Sequence, residues 1–144
     1  QFKGMAGAAD AADTEPAEIP AATREPAEAL SPLLERVADI CSARGVQPII
    51  VFDPAVYVDG EGEAYTGTDA DCLAAFESVC AENGIVFIDL TDSYIREYAG
   101  SCQLPYGFVN TTPGEGHMNR VGHRLFAQEV YVTIKALEEE QNGI

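Results

Sequence analysis

The residues best equipped for chemistry lie together in one stretch, Gly107-Phe108-Val109-Asn110-Thr111-Thr112-Pro113-Gly114-Glu115-Gly116-His117-Met118-Asn119-Arg120-Val121-Gly122-His123. The chain has only two histidines, and both fall here. An imidazole titrates near neutral pH, so His117 is suited to take a proton from a hydroxyl nucleophile. Glu115, two residues earlier, is the nearby carboxylate that could hold the far imidazole nitrogen and stabilise the charged ring. Asn110 precedes two threonines and is a candidate to line a site, with a turn-forming asparagine as the plainer alternative. For His117 the plainer alternative is a solvated histidine beside a helix start, and for Glu115 a charge favouring that helix N-terminus. His123 stands six residues from His117, which fits neither a metal pair one helical turn apart nor a triad, so the expected role is packing or backbone bonding.

These groups need elements to hold them. The spacing predicts a loop from Gly100 to Gly116 that delivers His117 to the mouth of a helix, and loops are where functional residues concentrate. Asn119 sits where an N-cap would accept a free backbone N–H. From Val121 the apolar residues Leu125, Phe126, Val130, Ile134 and Leu137 recur at helical spacing, predicting a helix to about Glu140, with Gly143 just beyond. Upstream, Leu30, Leu33, Leu34, Val37, Ala38 and Cys41 predict a helix over 27–43, with Gly45 as its stop. Val46–Phe52 reads as a strand covered on both faces. A polar loop over 53–68 follows, then a helix over 69–83 stopped by Gly84, a second buried strand over 85–90, and a short helix capped by Thr91 or Asp92 through Tyr98. Asp53 and Asp89 end the two strands, where an acid caps, turns or faces a site. Helix, strand, helix, strand, helix predicts an α/β fold with a parallel sheet, and the strand separation is about that of one βαβ unit. Two strands make a thin parallel sheet. Either an edge strand lies within 100–110 or part of the sheet is missing.

The spacing His-x-Asn-x-x-Gly-His ahead of an amphipathic helix resembles the C-terminal signature of the SGNH (GDSL-type) hydrolase and esterase superfamily. The resemblance covers roughly 27–137 in layout but only about 107–127 in motif. It implies a three-layer parallel sheet of SGNH/flavodoxin-like type, with only the C-terminal half of the domain in this chain. It makes His117 the general base that activates a serine, with Asn119 and Gly122 capping and packing the final helix. The family usually carries an aspartate two or three residues before this histidine; here position 114 is glycine, and Glu115 is the substitute on offer. The chain has neither the family's Gly-Asp-Ser motif nor its Gly-x-Asn motif, and Ser31, Ser42, Ser78, Ser93 and Ser101 have no strand–Gly–Asp lead-in. The nucleophile and oxyanion hole are therefore expected in sequence outside this chain. The implied function is deacylation of an acylated carbohydrate or cell-envelope glycan; the compartment is left open, with the resemblance favouring an extracytoplasmic one, and no cofactor or metal is expected. The implied partner is a small-molecule or glycan ester. The alternative is a non-catalytic SGNH-like module that binds a glycan or a protein, which the missing Asp at 114 favours.

Composition narrows the classes further. The 144 residues suffice for one domain, and residues 27–144 are assigned to it. Residues 1–26 hold Pro16, Pro20 and Pro26 among Ala and Glu, with few large apolar groups, and read as a linker or solvated insertion. A net charge of −16 argues against nucleic acid and anionic membranes as partners. No apolar run reaches the length of a membrane span, and no signal peptide is visible. Cys41, Cys72, Cys80 and Cys102 lack zinc-type spacing; the first three are expected on apolar helix faces, and disulfides are left open. Asp59, Glu61 and Glu63 alternate with glycines in the manner of a calcium loop, but Gly67 and Asp69 fall out of the EF-hand register.

Overall fold

The computed structural model describes residues 27–108, 112 and 114–143. The expected linker over 1–26 and the candidate Asn110 lie outside the described residues. Among the described residues the fold is mixed α/β, with four helices, a small parallel strand pair and an antiparallel pair. Helix α1 (Ser31–Ser42) leads into strand β1 (Ile49–Phe52), and a hairpin of β2 (Val56–Val58) and β3 (Ala64–Thr66) follows. Helix α2 (Ala70–Glu82) crosses to β4 (Val86–Asp89), and α3 (Thr91–Ser101) and α4 (Arg120–Asn142) complete the order.

Strands β1 and β4 pair in parallel, with Ile49 opposite Val86 and Phe52 opposite Asp89. A parallel pair needs a crossover, and α2 supplies it. Because strand side chains alternate between faces, the two strands feed two separate cores. Ile50 and Phe87 pack with Leu34 of α1 and Ala75, Val79 and Cys80 of α2. Ile49, Val51 and Ile88 pack with Tyr94 of α3 and Leu125 of α4. Helices thus cover both faces of the strand pair, as its unbroken apolar sequence requires. Phe76 meets Phe87 edge-on, with ring centroids 5.6 Å apart.

The helix ends follow local chemistry. Asp69 caps α2 by accepting the Cys72 N–H at 2.9 Å, and Gly84 takes the left-handed backbone (φ +66°) that stops it. Asn119 caps α4 as its sequence position predicts. Helix α3 differs: neither Thr91 nor Asp92 is its cap, and it runs past Tyr98 to Ser101. Asp89 supports its start instead, accepting the Thr91 N–H at 2.8 Å.

Three further expectations are corrected. The segment 53–68, read as a polar loop, contains the β2–β3 hairpin, with Tyr57 opposite Tyr65. Asp59 closes its turn by accepting the N–H groups of Glu61 and Glu63, both at 2.9 Å. The alternating acids are therefore turn residues. Those bonds, from Glu63 first and then Glu61, hold the Asp59 carboxyl below its usual range. Cys72 is exposed rather than set in an apolar face, because it occupies the solvent side of the first turn of α2. His123 is likewise exposed on α4 rather than packed, and of the two expected roles it keeps backbone bonding, its N–H donating to the Asn119 carbonyl at 3.0 Å.

Among the described residues no helix is long and apolar enough to cross a membrane. Leu90 is wholly buried between β4 and α3, whereas Leu33 of α1 is 61% exposed. Leu90→Ala should therefore cost about 2–5 kcal/mol in urea unfolding, and Leu33→Ala less than about 0.5 kcal/mol. Equal losses would show that the buried cluster around Leu90 does not carry the stability.

Candidate active site

The His117 loop is built on a ledge formed by residues 104–107. The chain leaves α3 through Cys102, a C-cap in the left-handed region at φ 55°. It then runs through Pro105, which is fully buried, to an isolated antiparallel bridge between Tyr106 and Met118. Gly107 N–H donates to the His117 carbonyl at 3.0 Å, and Asn119 N–H donates to the Pro105 carbonyl at 2.9 Å. His117 is thus held by its backbone on both sides, while its side chain is exposed.

Asn119 joins this ledge to α4. Its Oδ1 accepts the N–H groups of Val121 at 2.8 Å and Gly122 at 3.2 Å. Its Nδ2 donates to the carbonyls of Leu104 at 2.8 Å and Gly107 at 3.2 Å. One side chain therefore satisfies two orphan donors of the helix and two carbonyls of the ledge. Gly122 permits the close approach: a Cβ there would lie 2.5 Å from both the Pro105 oxygen and the Met118 Cγ. At Gly107 the backbone is left-handed (φ +87°), and a Cβ would lie 2.9 Å from the Thr112 oxygen.

Glu115 is exposed, and its N–H donates to the Thr112 carbonyl at 3.1 Å. No hydrogen bond or ion pair among the described residues joins its carboxylate to His117. Glu115 also lies at the rim of a cavity of about 470 Å³, walled by Tyr57, Tyr65, Tyr98, Cys102 and Leu104. The serine hydroxyls bond elsewhere: Ser93 to Glu129, Ser101 to Glu97, Ser78 to Glu82. Ser31 accepts from Asn83, and Ser42 is at the C-terminal end of α1. No group of three or more His, Cys, Asp or Glu side chains among the described residues is arranged to hold a metal ion.

The residue that sequence reasoning undervalued is Asp53. It follows the last residue of β1, at the carboxyl edge of the parallel strands where open α/β folds place their ligands. Its Oδ1 accepts hydrogen bonds from Tyr94 at 2.7 Å and from Tyr106. The tyrosine rings meet edge-on, 6.1 Å apart. An acid directly after an apolar strand is the only sequence signal, and nothing local names its partners, which lie 41 and 53 residues away. Burial first, and then the Asp53 carboxylate, push both phenols above the ordinary tyrosine range. Helices α3 and α4 are tied nearby by Arg124 and Glu97 at 2.7 Å.

Against known proteins, no family model matches this chain, and no curated protein or solved structure matches it.

Two outcomes follow from this geometry. Asn119→Ala should destabilise by about 2 kcal/mol, the upper part of the capping range, because ledge carbonyls lose their donor as well. Gly122→Ala should cost about 1–3 kcal/mol through overpacking on Pro105; unchanged unfolding midpoints would contradict both. For Tyr94 and Tyr106 the folded pKa exceeds the unfolded value of about 10. Their stabilising contribution is complete below that pH and is lost as pH rises through the folded values. Tyrosinate absorbance should therefore keep rising above pH ~10 until the fold opens, and a titration complete at lower pH would contradict the raised values of this hydrogen-bonded pair.

Proposed function

We propose that this chain is the C-terminal portion of an SGNH-type serine ester hydrolase. It would complete a three-layer parallel sheet of SGNH/flavodoxin-like type and act on an acylated carbohydrate or cell-envelope glycan. The observation that carries the reading is the placement of His117. Its loop is pinned by Asn119 at the start of a long helix, and Tyr106 links that loop to Asp53 at the carboxyl end of β1.

In this reading His117 takes the proton of a serine hydroxyl, which is a weak nucleophile until a neighbouring base accepts it. His117 then returns the proton to the leaving alkoxide of the ester. The serine and the oxyanion donors come from sequence outside this chain, since the described serines are engaged elsewhere or stand at other ends of helices. Glu115 is the proposed orienting acid by its place two residues ahead, and its carboxylate must turn toward the imidazole to serve. That requirement is the observation favouring a second reading, a non-catalytic SGNH-like module that binds a glycan or a protein partner.

The deciding experiment uses the natural polypeptide that carries this chain, assayed with p-nitrophenyl acetate. His117→Ala should lower kcat/KM by about a thousandfold or more, the loss typical of a missing triad base. A fluorophosphonate probe should label one serine outside these residues. The 144-residue chain alone should show no turnover. Activity indifferent to His117→Ala would sink the esterase reading and leave the binding module.

A further inference from the structure

Among the described residues the segment before His117 is tied to the ledge by its backbone: Gly114 N–H donates to the Tyr106 carbonyl at 3.3 Å. Gly107, Gly114 and Gly116 all take left-handed backbone, and Glu115, Gly116 and His117 are exposed. What holds His117 is the pairing of its peptide with the ledge: Gly107 N–H on the His117 oxygen and Asn119 N–H on the Pro105 oxygen. The ledge is joined to the sheet by the Tyr106 side chain, whose hydroxyl donates to Asp53 Oδ1. Tyr94, fully buried, donates to the same oxygen and stands edge-on to Tyr106. It braces the carboxylate from the core side. A continuous route therefore runs from the end of β1 through Asp53, the Tyr106 side chain and the Tyr106 backbone to His117.

We infer that Asp53 is a positioning residue for the His117 loop, setting through the Tyr106 hydroxyl where the 104–107 ledge and His117 stand over the carboxyl edge of the strands. The hydrogen bond is to an ionised acceptor, the stronger kind, and it reaches the ledge at the residue paired with Met118. Its consequence for turnover rests on the reading of His117 as a general base. Displacement of a catalytic group by about 1 Å can cost about a hundredfold in rate.

The test is amide hydrogen exchange by NMR on the 144-residue chain, comparing wild type with Asp53→Asn and Tyr106→Phe. Both substitutions keep side-chain shape, and if one fails to fold the other decides. Exchange at the Gly107 and Asn119 amides should quicken about tenfold in each variant, the scale of one charge-assisted hydrogen bond. The Val79 and Cys80 amides of α2, in the other core, should keep their protection. Unchanged exchange at Gly107 and Asn119 in both variants would overturn the inference, as would a uniform rise across the chain. In the natural polypeptide, Asp53→Asn should lower kcat about ten- to a hundredfold with KM unchanged. Quickened exchange with kcat intact would leave Asp53 as the positioning residue and count against His117 as the base. A fall in kcat with exchange intact would support a role for the site but remove positioning as its cause.

Discussion

Everything about the candidate site rests on the primary amide of Asn119. A helix begins with backbone donors that have no partner inside it, and a chain turning back along a ledge leaves carbonyls in the same condition. An asparagine side chain offers both an acceptor and two donors, so it can serve both ends of the problem. Here it does, with Oδ1 on the α4 amides and Nδ2 on the Leu104 and Gly107 carbonyls. An aspartate could cap the helix equally well but could not donate to the ledge. The position of His117 is thus a by-product of where two sets of unsatisfied backbone groups can share one side chain.

That local solution sits on a frame set by pleat alternation. Ile50 and Phe87 belong to one core, Val51 and Ile88 to the other, and a two-stranded sheet becomes the partition between them. Helix α4 crosses the second core with Val121, Leu125, Phe126 and Val130. Its capped end therefore stands at the carboxyl edge of the strands, where the ledge meets it. The Arg124–Glu97 pair and the Ser93–Glu129 bond tie α4 to α3 at the surface and part-way in. Surface pairs of this kind add little energy, and the apolar contacts carry the packing.

Much of this frame was legible from side-chain type alone. The 3.6-residue period through Leu34, through Leu73, Phe76 and Cys80, and through Leu125 marks three helices, Gly84 and Gly143 mark where two stop, and Asn119 announces the cap. The hairpin was missed although Val56-Tyr57-Val58 and Ala64-Tyr65-Thr66 flank a turn-rich segment. Three-residue strands give too short an alternation to stand out against the acids between them. The start of α3 was misjudged because Asp89, outside the helix, does the work expected of Thr91 or Asp92. Asp53 was the harder case. Its importance comes from tyrosines brought to it by tertiary packing, and no local pattern encodes that. The pairing of Glu115 with His117, drawn from spacing, has no hydrogen bond behind it among the described residues, since backbone spacing leaves a long side chain free to point to solvent.

The parallel strand pair has a colloidal consequence. Among the described residues β1 and β4 pair only with each other, so in this chain taken alone each has one edge without a partner strand, the edge that the rest of the proposed sheet would cover. Such edges template contact between chains. The opposing force is the net charge of −16, which keeps like molecules apart. That repulsion reaches about 30 Å at 0.01 M salt and only about 8 Å at physiological ionic strength. The net charge therefore opposes contact between copies of this chain, and that opposition weakens as ionic strength rises.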